Sequence, residues 1–176
     1  MTFKKYPSIE SLGHEDNREI LMYEDDTLVI EEKVDGGNGS AWVEEDNLIH
    51  FGSRNRDLTI ENDEKAFGKQ QIQLREHLLS LEKEGITLNP AYIYYIEWMA
   101  VHTIKYTSVP FVIGIDIRLK RAMDEEDFGL FLGRDTREQE FNRLKIENVP
   151  VIWRGTVKEF RKLDIRKFID RESKYG

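Results

Sequence analysis

The sequence contains no cysteine, which excludes disulfide bonds and thiolate metal sites. It has only four prolines among 176 residues. No apolar run approaches the roughly 20 residues that a membrane-spanning helix needs. The lysines near the N-terminus are not followed by the apolar core of a signal peptide. We therefore expect a cytoplasmic protein without a membrane partner.

Positive charge is also scarce, since 26 lysines and arginines face 34 aspartates and glutamates and give a net charge of −8. This balance argues against a non-specific nucleic-acid binder, which is normally basic, but it permits a local basic groove. The carboxylates could hold a divalent cation. The length predicts one domain with a real hydrophobic core.

Glycine is concentrated at one place, where Gly36, Gly37 and Gly39 follow the strand-forming residues 27–30. The pattern predicts a strand, a tight turn and a second strand, with Lys33 beside the turn. Glycine lets a backbone approach a ligand closely, and turn amides can face an anion. A deprotonated lysine there could attack phosphorus. The alternative is a glycine-rich hairpin with an exposed lysine.

The Lys33-Val34-Asp35-Gly36 segment resembles the adenylation signature of covalent nucleotidyltransferases, which include polynucleotide ligases and capping guanylyltransferases. DNA ligases and capping enzymes usually carry arginine five residues after the lysine. This chain has Asn38 there, as in the RNA ligases that seal nicks in duplex RNA. The resemblance implies that Lys33 attacks the α-phosphate of ATP and becomes lysyl-AMP. It also implies that Glu32 and Val34 contact the nucleotide and that Asn38 engages the RNA.

A hairpin is predicted over residues 43–51, with its turn at residues 45–47. It leads to Arg54, the best match to a family arginine that contacts the nucleotide or the RNA end. Arg56 is a near neighbour that could be confused with it. Taken alone, each arginine is typical of a solvated loop, and only a place beside Lys33 on a shared sheet favours a site role for Arg54.

A strand predicted over residues 91–99 carries Glu97 between apolar and aromatic neighbours. A carboxylate there costs several kcal/mol unless it is paired, hydrogen-bonded or part of a site. The resemblance implies that Glu97 contacts the ribose or a bound metal ion. The alternative is a strand-end carboxylate that reaches solvent.

The next strand, predicted over residues 110–117, contains Ile115 and Asp116. Ile115 stands where the family usually has an aromatic residue that stacks on adenine, and an aliphatic side chain packs on a purine less specifically. We expect Asp116 to be structural, and likewise His77 in a helix predicted over residues 64–84.

The helix over residues 64–84 should begin at Asn62-Asp63 and end at Gly85. Its core face is predicted to consist of Phe67, Leu74, Leu78 and Leu81. Further predictions are a helical turn within residues 123–132, a helix over residues 136–144, a strand over residues 149–153 and a cap at Thr156. The segment after Thr156 is basic and is either an RNA-phosphate contact or a solvated face. Its basic residues are Lys158, Arg161, Lys162, Arg166 and Lys167.

Together these features imply an α+β nucleotidyltransferase fold, with twisted, mainly antiparallel sheets and flanking helices. Two further family strands, one with a Glu-Gly motif and one with a Lys-x-Lys pair, have no counterpart in this sequence. We therefore expect residues 1–176 to be the N-terminal two-thirds of an adenylation domain that is slow or inactive alone. The strands that carry Lys33 and Glu97 would then have open edges, which would favour a partner chain or self-association.

The expected reaction is ligation of RNA 3′-hydroxyl and 5′-phosphate ends, with ATP and with Mg²⁺ or Mn²⁺. The alternative is a catalytically incomplete relative that binds nucleotide or RNA.

Overall fold

The described part of the chain contains a six-stranded sheet and a two-stranded ribbon. The computed structural model describes residues 5–58, 68–100, 102–120 and 130–176. The chain divides into a first unit, Met1–Tyr6 with Val34–Asn148, and a second unit, Pro7–Lys33 with Val149–Gly176. The mixture of helices with mainly antiparallel strands confirms the predicted α+β class.

The strands and helices are numbered in chain order. The strands are β1 (Thr27–Glu31), β2 (Gly37–Val43), β3 (Ile49–Ser53), β4 (Asp57–Leu58), β5 (Tyr92–Trp98), β6 (Val112–Leu119), β7 (Glu147–Asn148) and β8 (Val151–Thr156). The helices are a 3-10 helix (Glu15–Leu21), α1 (Gly68–Glu82), α2 (Arg134–Arg143), α3 (Val157–Phe160) and α4 (Arg166–Ile169). Within the described residues, no helix has the length and apolar character needed to cross a membrane.

The sheet of the first unit has the strand order β4-β3-β2-β5-β6-β7. All its neighbours are antiparallel except β6 and β7, which are parallel. The hairpin predicted over residues 43–51 is present as β2 and β3. Its turn has Asn47 at a φ of 59° and a hydrogen bond of 2.9 Å from the Leu48 amide to Asp46 Oδ1.

One face of this sheet forms the main core with α1 and the end of α2. Leu74, Leu78 and Leu81 are buried in it, as their helical spacing predicts. Gly85, at a φ of 77°, follows the end of α1, and its amide bonds the Glu82 carbonyl at 2.9 Å. The Asn62-Asp63 cap and Phe67 lie outside the described residues, as do residues 123–129.

The alternation predicted for β5 is confirmed. Tyr94, Ile96 and Trp98 pack in the main core, whereas Ile93 and Tyr95 join a second cluster on the opposite face. His77 also has the structural role expected of it, because its Nε2 lies 2.7 Å from the Leu144 carbonyl oxygen.

The prediction of a turn at the glycines was wrong. β1 and β2 belong to different sheets, and Gly37 and Gly39 lie inside β2. A Cβ atom built on Gly39 would lie 2.0 Å from Trp98 Nε1. Glycine is therefore required at position 39 by the close approach of an indole ring, not by a turn.

We expect Gly39→Ala to lower the free energy of unfolding by about 1–3 kcal/mol, the usual cost of overpacking a core. Denaturant unfolding measures it. Gly133→Ala is the comparison, because a Cβ atom there meets nothing within 4 Å and the variant should lose only the small preference for glycine at the N-cap of α2. Equal losses in the two variants would contradict the packing explanation.

The second unit is built on the antiparallel pairing of β1 with β8, from Thr27 opposite Thr156 to Glu31 opposite Val151. Thr156 caps α3 as predicted, in a capping box with Glu159. Among the described residues, neither strand of this ribbon pairs with a third strand. The open edge that the sequence predicts for the strand of Glu97 is not found, because β5 is paired on both sides, with β2 and β6.

Candidate functional site

The two residues that enter β2, Asp35 and Gly36, are held by the chain that ends and follows β5. The Gly36 amide donates to Glu97 Oε1 at 3.1 Å, and the Asp35 amide donates to the Tyr106 hydroxyl at 2.8 Å. Asp35 Oδ2 accepts hydrogen bonds from the Thr103 amide at 2.5 Å, the Thr103 hydroxyl at 2.6 Å and the Ile104 amide at 2.9 Å. The backbone that follows Lys33 and Val34 is thus fixed by side chains as well as by the sheet.

These hydrogen bonds also set the charge state of Asp35. The hydrogen bond from the Thr103 side chain, followed by those from the Ile104 and Thr103 amides, lowers the pKa of the Asp35 carboxyl below its ordinary value. Asp35 therefore remains ionised at neutral pH. These bonds would be lost only as the pH falls through that lowered value.

Glycine is needed at position 36 because the neighbouring strand comes very close. A Cβ atom there would lie 2.7 Å from both Glu97 Cγ and the Trp98 carbonyl oxygen. Because Gly36 has no side chain, its backbone can approach β5 closely enough to contact the Glu97 carboxylate.

Three of the predicted site residues lie at one end of three neighbouring strands. Asn38 on β2 is paired with Glu97 on β5, and Gly39 is paired with Ser53 on β3. Because β2 and β3 are antiparallel, Arg54 follows Ser53 toward the end where Asn38 lies. The sheet thus brings Arg54, Asn38 and Glu97 to one strand end, the end at which Gly36 enters β2.

The side chains in this row differ in exposure. Glu97 and Asn38 are half-buried, whereas Arg54 is exposed. Glu97 has a hydrogen-bond donor in the Gly36 amide, which answers how a carboxylate is accommodated in this strand. Arg56 is in the same tight turn as Arg54, since its carbonyl oxygen accepts a hydrogen bond of 2.8 Å from the Ser53 amide.

Ile115 lies at an irregularity in the pairing of β5 with β6. Tyr95 is opposite Asp116 and Ile96 is opposite Gly114, so Ile115 is an extra residue on β6. Its side chain is half-buried, and its carbonyl oxygen accepts a hydrogen bond of 2.6 Å from Arg137 Nη1. Asp116 accepts a hydrogen bond of 3.4 Å from the Tyr6 hydroxyl, which agrees with a structural role.

Glu32, which precedes Lys33, is bound within the second unit. Its amide donates to the Pro150 carbonyl at 2.8 Å. Its carboxylate accepts hydrogen bonds from the Ser173 hydroxyl at 2.5 Å and the Lys174 amide at 3.1 Å. The Lys33 side chain is exposed, whereas Val34 is buried.

No group of three or more histidine, aspartate or glutamate side chains suited to a metal ion occurs in the described part of the chain. Mg²⁺ is, however, often bound by one or two carboxylates together with substrate phosphates and water. A half-buried carboxylate such as Glu97 fits that mode as a single protein ligand.

A family model for RNA ligases matches residues 26–175. The chain belongs to the RNA ligase family. A search of curated proteins found no match. Among solved structures, an archaeal ATP-dependent RNA ligase matches over 90% of this chain, with a TM-score of 0.62 and 15% sequence identity. The RNA ligase of Naegleria gruberi with pyrophosphate matches over 88%, with a TM-score of 0.61 and 14% identity.

These matches support the ligase nucleotidyltransferase fold. A further structure, of a Naegleria gruberi RNA ligase variant with ATP and manganese, matches over 87% of the chain with a TM-score of 0.59 and 14% identity. The chain spans 39% of the archaeal ligase and 44% of these two Naegleria gruberi chains.

Within this RNA ligase family member, the basic segment after Thr156 has an exposed set of cations. Lys158, Lys162, Arg166 and Lys167 are exposed. Arg161 binds Glu24 at 3.2 Å and the Leu21 carbonyl oxygen at 2.7 Å, so it has a structural partner within the second unit. An RNA contact by this segment stays a prediction.

Several contacts in this RNA ligase family member were not anticipated from the sequence. Thr103, Ile104 and Tyr106 bind Asp35 from about 70 residues away, and Ser173 binds Glu32 from 141 residues away. The only available signal was a polar loop directly after the strand of Glu97. Nothing in that loop's spacing indicated its partner.

Proposed function

We propose that this chain forms lysyl-AMP from ATP at Lys33 and passes the adenylate to RNA, as part of an RNA ligase. The observation that carries the proposal is the row of Arg54, Asn38 and Glu97 at one strand end, directly beyond the segment of Lys33. The proposal assigns Glu32, Val34 and Ile115 to the nucleotide as well.

In the first step, the deprotonated Nζ of Lys33 attacks the α-phosphorus of ATP. The N–P bond forms as the bond to the bridging oxygen breaks, and the electron pair leaves with pyrophosphate. The lysine must give up its proton before the attack, because only the free amine carries a lone pair. Mg²⁺ or Mn²⁺ held by Glu97 and phosphate oxygens would neutralise charge on the leaving group.

In the later steps, an oxygen of the RNA 5′-phosphate attacks the adenylate phosphorus and releases Lys33. The RNA 3′-hydroxyl then attacks the 5′-phosphorus and releases AMP. We assign Asn38 to the RNA end. Arg54 is assigned to both the nucleotide and the RNA, because an exposed guanidinium can bind phosphate through two parallel hydrogen bonds.

The half-reactions should separate the roles of Asn38 and Arg54. We expect Asn38→Ala to retain lysyl-AMP formation but to slow sealing of a pre-adenylated nick by about 10- to 100-fold, the worth of one hydrogen bond to a charged group. Arg54→Ala should slow both reactions. Rapid-quench assays with labelled ATP and with pre-adenylated RNA measure the two steps.

Arg56→Ala is the control, because Arg56 lies in the same turn and carries the same charge. If Asn38→Ala slows both reactions to the same extent, Asn38 has only a structural role in β2 and no specific contact with RNA. If Arg56→Ala slows both reactions and Arg54→Ala slows neither, the role assigned to Arg54 belongs to Arg56.

A second candidate is a relative that binds nucleotide or RNA without transferring adenylate. It is favoured by the described residues, among which no group of three or more histidine, aspartate or glutamate side chains is suited to a metal ion. In that case the β1–β8 ribbon, which pairs with no third strand among the described residues, would receive a strand from a partner chain or a second copy. Covalent labelling by ATP separates the two candidates, because only the first leaves an adduct on the protein.

A further inference from the structure

The loop of residues 102–106 is attached to the nucleophile's motif through one side chain. Three donors, the Thr103 amide, the Thr103 hydroxyl and the Ile104 amide, converge on Asp35 Oδ2 at 2.5–2.9 Å. Thr103 and Ile104 are exposed, so water could solvate these groups if the loop moved away. The convergence on one oxygen is therefore a specific arrangement rather than a consequence of burial.

The same loop also forms a hydrogen bond with the backbone of Asp35. The Tyr106 hydroxyl accepts a hydrogen bond of 2.8 Å from the Asp35 amide. The loop is also closed on itself, because His102 Nδ1 lies 2.5 Å from the Ile104 carbonyl oxygen and the His102 and Tyr106 rings are 5.1 Å apart. Because the loop is held in this conformation by its own contacts, little conformational entropy is lost when its donors bind Asp35.

Asp35 lies two residues after Lys33 in the chain, and the intervening Val34 is buried. Because only Val34 separates the two residues, the backbone direction at Asp35 limits the directions that the exposed lysine side chain can take. In-line attack on phosphorus tolerates little misplacement, since an error of about 1 Å can cost roughly 100-fold in rate. Fixing Asp35 is a direct way to fix the direction of Lys33.

We propose that the loop of residues 102–106 is a positioning element for the lysine, in which Thr103 and Tyr106 act through Asp35 to orient Lys33 for attack. The inference rests on the proposed function. It adds a segment that neither the motif nor the strand of Glu97 contains. Thr103 and Tyr106 are positioning residues here, because they act through Asp35 and not on the reacting atoms.

The test compares three substitutions in the loop. Thr103→Val removes the hydroxyl donor but keeps the side-chain shape and both amides, whereas Thr103→Ser keeps the hydroxyl. Tyr106→Phe removes the acceptor of the Asp35 amide. Lys105→Ala is the control, because Lys105 is exposed and lies between them in the same loop.

Single-turnover formation of lysyl-AMP is measured across ATP concentrations. We expect Thr103→Val and Tyr106→Phe to lower the rate at saturating ATP by about 10- to 100-fold, with less than about 2-fold change in the half-saturating concentration. Thr103→Ser and Lys105→Ala should react at the wild-type rate. A purely structural loop would instead lower thermal stability and ATP affinity together, or leave the rate unchanged, and either result overturns the inference.

Amide hydrogen exchange tests the attachment without any reaction. Asp35→Asn should speed exchange at Thr103 and Ile104, and Tyr106→Phe should speed it at Asp35. Unchanged exchange would show that the loop does not hold Asp35. Failure of the proposed function is recognised separately, because the wild-type chain would then form no adduct, and the inference would fall with it.

Discussion

Replacing Lys33 with alanine is expected to abolish covalent labelling of the chain by ATP. The amine supplies the lone pair that forms the N–P bond, and no neighbouring atom of the backbone can replace it. Because the Lys33 side chain is exposed, its removal should change the free energy of unfolding by no more than about 0.5 kcal/mol. The measurement is transfer of label from the α-phosphate of ATP, followed on a denaturing gel.

Two further variants make the Lys33 result specific. Lys33→Arg keeps the positive charge but cannot be deprotonated, so it should be as inactive as alanine. Lys83→Ala removes another exposed lysine, just beyond α1, and should label at the wild-type rate. Persistent labelling of the Lys33 variants at another residue would contradict the assignment of the nucleophile.

The second large effect is expected at Glu97. Glu97→Gln keeps an oxygen that can accept the Gly36 amide but removes the negative charge. If the charge holds a divalent cation beside the phosphates, we expect lysyl-AMP formation to fall by about 100- to 1,000-fold, as when one preorganised electrostatic contact is lost. The manganese concentration needed for half-maximal rate should rise as well.

Comparison with Glu97→Ala separates charge from hydrogen bonding. The alanine variant loses both, so it should be no more active than Glu97→Gln and should also be less stable. Glu76→Gln on the exposed side of α1 is the control for loss of one carboxylate. An active glutamine variant beside an inactive alanine variant would show that Glu97 serves only to hold Gly36.

The sequence predicted best where a local period determines the structure. The alternation of β5 fixed both faces of that strand and singled out Glu97 as a carboxylate that needed a partner. The hairpin of β2 and β3 followed from its turn residues, and the buried face of α1 followed from its helical spacing. The α+β class and the RNA ligase family followed from these elements and the lysine motif.

What could not be predicted are partners that lie far apart in the chain. β1 pairs with β8, and no local pattern near Thr27 indicates Thr156 as its partner. The glycines illustrate a second limit. The sequence does not distinguish a glycine required by a turn from one required by a neighbouring indole ring, so it did not indicate the contact of Gly39 with Trp98. The hydrogen bonds of Asp35 to Thr103 combine both difficulties.

The central claim is that Lys33 becomes adenylated, and the mass of the intact protein after incubation with ATP and Mn²⁺ tests it most directly. An adduct accumulates once per molecule, so even a slow reaction is detected after long incubation. The account predicts a gain of a single adenylyl group, mapped by peptide fragmentation to Lys33 and removed by added pyrophosphate. An adduct at any other residue, or an adduct of the same mass on the Lys33→Ala variant, would contradict it.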